Sequence, residues 1–374
     1  MNTVRKFAQD NRMLLKQTLW ELAQIPAPSG KEDKRRAYCE QWLDRFGIPH
    51  SSDSSKNLLI PYRICEGRRN RLAVAHMDLV FDESVPLNPV KDGSIWRCPG
   101  IGDNTANVVL LLLAAKYLFE QQPKTETGIW LAADTCEEGL GNLDGCKKLM
   151  QDLKGRVESV IAFDLYRDRL YTGCIGSVRF RITVRTPGGH SFSDFGKTNA
   201  IHVLSSLVTR LYEYKTKENT TFNVGMISGG TSVNAIAQEA SMLFEYRSDS
   251  AAELKKCKEY LADCLQEAQS ASVTVICETV GERPCAERPD EEKIKSLAKI
   301  CREQIAAATG VIPKEAKAST DCNIPLSMGI PAVCAGFFAG GGAHTKEEWI
   351  DMSTAEQALE AAAGCIEALG KLPH

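Results

Sequence analysis

Three short apolar runs in this chain end in side chains that a strand does not need. Leu72–Ala75 runs into His76-Met77-Asp78, Gly128–Ala133 into Asp134-Thr135-Cys136-Glu137-Glu138, and Val157–Phe163 into Asp164. Short apolar runs bounded by polar residues suit the buried strands of a parallel sheet. Open sheets of that kind hold ligands just beyond the carboxyl ends of their strands. Any one ending is ordinary: a strand-end histidine bonded to a nearby carboxylate, or two glutamates in solvent. Three endings of the same chemistry are harder to dismiss. Alternation along an extended chain puts His76 and Asp78 on one side, so the carboxylate can hold one imidazole nitrogen while the other binds a metal.

Two further places carry the same chemistry. Asp103 lies in the turn Gly100-Ile101-Gly102-Asp103-Asn104, which feeds a long apolar helix over Thr105–Phe119; on its own it would be read as a helix cap. Ile330–Ala335 is another buried strand, and the loop Gly340-Gly341-Gly342-Ala343-His344 follows it. Glycines before a histidine let backbone approach a ligand closely.

The intervening chain has another texture. Val178–Val184 alternates, with Phe180, Ile182 and Val184 on one face and arginines on the other, as in a half-exposed antiparallel strand. A helix over Asn199–Tyr214, strands at Phe222–Ser228 and Ser241–Arg247, a helix to about Gln269 and a strand at Val273–Thr279 follow. This order is the split βαβ pattern of a ferredoxin-like α+β domain. The expected fold class is therefore α/β: a mostly parallel-sheet catalytic domain, 1–176 and 282–374, interrupted by an inserted α+β domain, 177–281. Toward the N-terminus, Val4–Ile25 reads as helical, Pro26–Gly30 as a breaker, and Pro86–Gly100 as irregular.

Composition narrows the partners. A net charge of −3 over 374 residues offers no basic surplus for nucleic acid or an anionic membrane. The longest apolar run, Val108–Ala115, is too short to span a bilayer, and the N-terminus has no signal-like apolar core. Fourteen cysteines are scattered without a C-x-x-C pair, so the expectation is a cytoplasmic protein with reduced, mostly buried thiols. That spacing also argues against a thiol-redox protein.

His76, Asp103, Glu137, Glu138, Asp164 and His344 form a nitrogen-and-oxygen donor set. It suits two divalent ions, zinc first with cobalt or manganese as alternatives, rather than a thiolate site. Five ligands and a spare carboxylate exceed what one catalytic metal takes. They match two metals sharing a bridging carboxylate.

In this order AVAHMDLV, PGIGDNTANVV, ADTCEEGLG, AFD and GGAHTKEEW resemble the signature set of the cocatalytic zinc exopeptidases and amidohydrolases. Peptidase T, glutamate carboxypeptidase, acetylornithine deacetylase and succinyl-diaminopimelate desuccinylase are members. GGHSFSDFGKTNAI and GGTSVNAIAQEASMLFEYR resemble that family's lid or dimerisation domain, and STDCNIPLSMGIP and GGGAHTKEEW lean toward the peptidase T side. The resemblance implies roles. His76 and Asp164 would hold one metal, Glu138 and His344 the other, and Asp103 would bridge. Glu137 would be the general base, and Asp78 would orient His76. His190 would steady the oxyanion in a facing subunit's site, and Asn234 and Arg247 would grip the substrate's terminal carboxylate. It further implies a homodimer formed through the insertion and, as substrate, a small peptide or N-acyl amino acid cut at an amide near a free terminus. Two positions depart from the pattern: Val80-Phe81 stands where a proline is common, and Gly102 where an acidic residue often precedes the bridge. The alternative is a catalytically silent dimeric binding protein that keeps fold and metal site.

Overall fold

The computed structural model describes residues 3–217, 219–286 and 290–373. The chain divides into two compact units, Met1–Cys174 with Arg288–His374, and Ile175–Glu287.

The larger unit is built on an eight-stranded, mostly parallel sheet. At its centre lie Ile129–Asp134, Asn70–His76, Val157–Phe163 and Ala332–Ala335, each parallel to its neighbour. All seven residues of Asn70–His76 are buried, as expected for a strand covered on both faces. Register puts the strand ends level: His76 pairs with Asp134, and Phe163 with Ala335. Helices Asn107–Gln121, Glu291–Thr309 and Ala355–Lys371 pack on this sheet and on each other. Val108–Leu113 is apolar all round and wholly buried, the condition under which a uniformly apolar helix is stable. Cys277 is exposed, Cys65 and Cys136 are half-buried, and the other cysteines are buried and serve as small apolar residues.

The structure corrects two local readings. Val4–Ile25 is two helices, Thr3–Asp10 and Arg12–Leu22, parted at Asn11, whose side-chain amide donates to the Phe7 carbonyl (2.9 Å). Pro86–Gly100 is not irregular throughout. Val90–Asp92 and Ile95–Arg97 form a hairpin that joins Trp349–Asp351 and Gly340–Gly341 in a second, four-stranded sheet. Asp92 pairs with Ile95, so Gly93-Ser94, with Gly93 at φ 60°, is the two-residue hairpin turn that the prolines obscured.

The smaller unit is a four-stranded antiparallel sheet in the order Thr220–Gly229, Glu239–Ser248, Gly176–Arg185, Thr274–Arg283, with helices Ala200–Leu211 and Ala251–Ala268. This is the split βαβ arrangement. Val178, Phe180, Ile182 and Val184 are buried with Phe244 and Tyr246, while Arg181 and Arg185 face solvent. Asn199 and Ser250 cap the two helices, accepting the N–H groups of Ile201 (2.9 Å) and Glu253 (3.3 Å). Among the described residues no helix is long and apolar enough to cross a membrane.

Candidate metal centre

The level strand ends bring His76, Glu137, Glu138 and Asp164 to one edge of the sheet, and the Asp103 turn and the glycine loop reach the same place. His76 Nε2 lies 3.3 Å from Asp103 Oδ1 and 3.6 Å from Asp164 Oδ1. His344 Nε2 lies 3.3 Å from the other Asp103 oxygen, Oδ2, and 3.2 Å from Glu138 Oε1. Asp103 thus faces two imidazoles with different oxygens, and each imidazole faces one further carboxylate. Glu137 joins His76 and Glu138 in a third group whose ligand atoms lie within 4.8 Å of one another. Four of the five expected ligands are buried, whereas the His344 side chain is 56% exposed and forms the open side.

Asp78 is fully buried and binds in three directions. Its carboxylate accepts the backbone N–H groups of Glu137 (2.9 Å) and Glu138 (2.8 Å) and the Ser29 hydroxyl (2.6 Å), and its Oδ1 lies 3.4 Å from His76 Nδ1. Burial would raise its pKa; the His76 imidazole, Ser29 and the Glu138 N–H outweigh that and lower it. With Nδ1 also 3.2 Å from the Asp78 carbonyl, a neutral His76 imidazole carries its proton on Nδ1 and offers Nε2 as a lone-pair donor.

The charge balance calls for cations. Burial and the neighbouring Asp103 raise both Glu138 and Asp164. Burial would raise Asp103 too, but His344 and His76 pull it well below the usual carboxylate range. Burial works against the His76 imidazolium, yet Asp103, Asp164 and Asp78 lift its pKa well above the ordinary value. The Asp103 and Glu138 carboxylates beside it push His344 up to about 11. His76 Nε2 and Glu138 Oε1 are buried without a hydrogen-bond partner. Two ligands each about 2.1 Å from one tetrahedral ion lie roughly 3.4 Å apart, which matches the observed separations. The residues present fit a pair of divalent cations.

Other residues support the edge. Asn104 donates to the Phe163 carbonyl (2.8 Å), and Asn107 to the Asn104 side chain (2.8 Å) and the Leu165 carbonyl (3.1 Å), tying the Asp103 turn to the loop that carries Asp164. Glu32 accepts the Gly30 and Cys136 N–H groups at 2.8 and 3.1 Å. A Cβ on Gly102 would sit 2.5 Å from Tyr166 and 2.9 Å from Glu348, so no side chain fits there; this accounts for glycine at that departure. Behind the edge, Asp134, Cys146 and Asp321 form another buried group. Both Asp134 oxygens and Asp321 Oδ1 find no donor. Burial pushes Asp134 well up and Asp321 to about 6, so the pair retains a proton. Ser29, Glu32, Asn104 and Asp321 were missed as site residues because each reads locally as turn or cap chemistry; only their contacts with distant segments reveal them.

In the smaller unit His190 and Asn234 are exposed. His190 Nδ1 accepts the N–H groups of Phe192 (3.2 Å) and Ser193 (3.4 Å), which leaves the proton on Nε2 as an outward donor. Ser191 N–H donates to the Asn234 carbonyl (3.0 Å), setting the two loops side by side. Arg247 is 40% exposed and its Nε donates to Glu245 (2.9 Å) on the same strand.

Comparison with known proteins bears on the fold that carries this geometry. Residues 172–273 match the peptidase dimerisation domain of the M20 peptidases. Over almost its whole length the chain superposes on a tripeptidase from Staphylococcus aureus, with a TM-score of 0.80, 22% identity, and 96% of this chain and 99% of that one covered. The chain has the M20 peptidase fold. A dinuclear metal-binding M20 peptidase from Bacillus subtilis shares it at a TM-score of 0.67 and 16% identity, covering 97% and 99% of the two chains. In sequence, the succinyl-diaminopimelate desuccinylase of Corynebacterium glutamicum is 23% identical over 339 residues, 87% of this chain and 89% of that one. The family resemblance read from the motifs is thus supported independently by a domain match, a sequence relative and the fold.

Proposed function

We propose that this chain is a two-metal hydrolase that cuts an amide bond near a free terminus of a small peptide or an N-acyl amino acid. The single observation that supports this best is Asp103, whose two oxygens each lie 3.3 Å from a different imidazole. That is the disposition of a carboxylate shared by two ions. His76 and Asp164 hold one ion, Glu138 and His344 the other, with zinc the first choice and cobalt or manganese the alternatives. Bound divalent ions make water nucleophilic near neutral pH and polarise a carbonyl. Glu137 is the general base: its carboxylate accepts the proton of the attacking water and returns it to the leaving amine. Asp78 keeps His76 in the tautomer that leaves Nε2 free, and its bonds to the Glu137 and Glu138 N–H groups hold both glutamates at the strand end.

The smaller unit completes the site in a homodimer. Thr220–Gly229 is an edge strand, and Met226, Ile227 and Val233 on or beside it are exposed, the kind of edge that a second copy covers. His190 offers its Nε2 proton to the developing oxyanion in a facing subunit. Asn234 and Arg247 bind the substrate's terminal carboxylate, for which a planar guanidinium is the suited donor. The residues 1–176 and 282–374 act as the catalytic domain and 177–281 as the lid. Purified protein should contain two equivalents of metal and turn over at least one class among tripeptides, dipeptides and N-acyl amino acids. Two equivalents of metal with no turnover of any class would instead favour the silent binding protein.

A further inference from the structure

Glu348 lies four residues beyond His344 and has no role in the reading above. Its side chain is buried, with the residue 0% exposed. The small sheet seats it: Trp349 pairs with Arg97, and the Glu348 carbonyl accepts the Cys98 N–H (3.1 Å), so the chain after Arg97 turns around the Glu348 carboxylate. Four donors converge on that group. Oε2 accepts the Gly100 N–H (2.6 Å), and Oε1 accepts the Gly102 N–H (2.9 Å), the Asp103 N–H (2.7 Å) and the Tyr166 hydroxyl (2.8 Å).

These donors come from the segments that carry the expected ligands. Gly100, Gly102 and Asp103 are the turn of the bridging carboxylate. Tyr166 follows Asp164 by two residues, and Glu348 itself is on the His344 loop. One carboxylate therefore fastens three ligand-bearing segments, and one of its bonds is to the backbone of Asp103 itself. Both oxygens act as acceptors here, and each takes at least one backbone N–H. A glutamine of the same shape would point an NH2 group at an N–H donor.

We infer that Glu348 is a positioning residue for the two-metal centre: it fixes the Asp103 backbone so that both Asp103 oxygens face the imidazoles. The inference rests on the two-metal reading and extends it to a residue that touches neither metal nor substrate. Groups that orient metal ligands typically contribute about 10–100-fold to metal affinity when removed.

The test is competitive chelator titration with Zn²⁺ of the full chain, wild type against Glu348→Gln, with the Co²⁺-substituted absorption spectrum of each. Glu348→Gln should stay folded by circular dichroism, bind Zn²⁺ at least ~10-fold more weakly and show an altered Co²⁺ spectrum. Tyr166→Phe removes one donor without creating a donor–donor clash. It should weaken Zn²⁺ in the same direction by less, and it carries the test if Glu348→Gln does not fold. A structural role alone would lower Tm while leaving the Zn²⁺ affinity and Co²⁺ spectrum of the folded protein unchanged. That result overturns the inference and leaves the two-metal reading intact. Wild-type protein that binds fewer than two Zn²⁺ overturns both.

Discussion

The two units of this chain carry their candidate chemistry in opposite ways. In the larger unit His76, Asp103, Glu138 and Asp164 are buried, converge within a single chain and are braced by Asp78 and Asn104. In the smaller unit His190 and Asn234 face solvent, and Arg247 is engaged by Glu245 on its own strand. A buried cluster of carboxylates is costly unless cations enter it, so the first region suits metals by its own packing. In the second, His190 turns its Nε2 proton to solvent. Under the proposed function the contrast divides metal holding from substrate handling, and mutations in the two regions should have different signatures.

The largest expected effect is in the first region. Glu137→Gln should keep both metals and lower kcat by at least ~10²-fold, the scale of a lost general base. Metal content by elemental analysis, taken beside steady-state rates, checks it; loss of metal would mean that the adjacent glutamates have exchanged roles. In the second region His190→Ala should lower kcat by about 10²-fold, the scale of one lost oxyanion donor, with metal content unchanged. Mixing His190→Ala subunits with Glu137→Gln subunits should recover activity if the histidine acts across a dimer; no recovery would confine it to its own chain. Arg247→Ala should raise KM by roughly 10-fold with a smaller change in kcat. An equal fall in kcat alone would remove it from substrate binding.

A smaller effect sharpens the view of the first region as crowded with negative charge. Asp134 and Asp321 share a buried space without a donor, and burial raises both, Asp321 to about 6. An acid whose pKa is raised by folding contributes its stability at low pH and loses it as pH rises through the folded value. Asp134→Asn supplies a donor and removes one charge. It should therefore stabilise the metal-free protein by about 1–3 kcal/mol at pH 8 and have little effect near pH 4. Urea denaturation of both proteins in chelator at the two pH values measures the difference; equal effects at both would dismiss the shared proton.

Much of the first region was legible in the sequence because strand burial and chemistry coincide there. An apolar run that stops at His76, Asp134 or Asp164 announces both a strand and the imidazole or carboxylate at its end. The alternating Val178–Val184 strand announced the second sheet in the same way. The hairpin at Val90–Arg97 was hidden among prolines, and with it the path that brings Glu348 to the Asp103 turn. Ser29 and Asp321 were hidden for a related reason. Their partners, Asp78 and Asp134, are distant in sequence, and no periodicity reports a contact between loops. The Asn11 break was invisible because a helix interrupted by one residue keeps the same apolar spacing on both sides.

The central claim is that Asp103 joins two metal sites into one centre. Metal occupancy of Asp103→Asn and His76→Ala, crystallised and soaked at limiting zinc, tests it most directly. Asp103→Asn should empty both positions together, whereas His76→Ala should mainly empty the position shared with Asp164 and leave the Glu138–His344 position occupied. Equal loss of both ions in each variant, or retention of either ion at full occupancy in Asp103→Asn, would contradict the bridge.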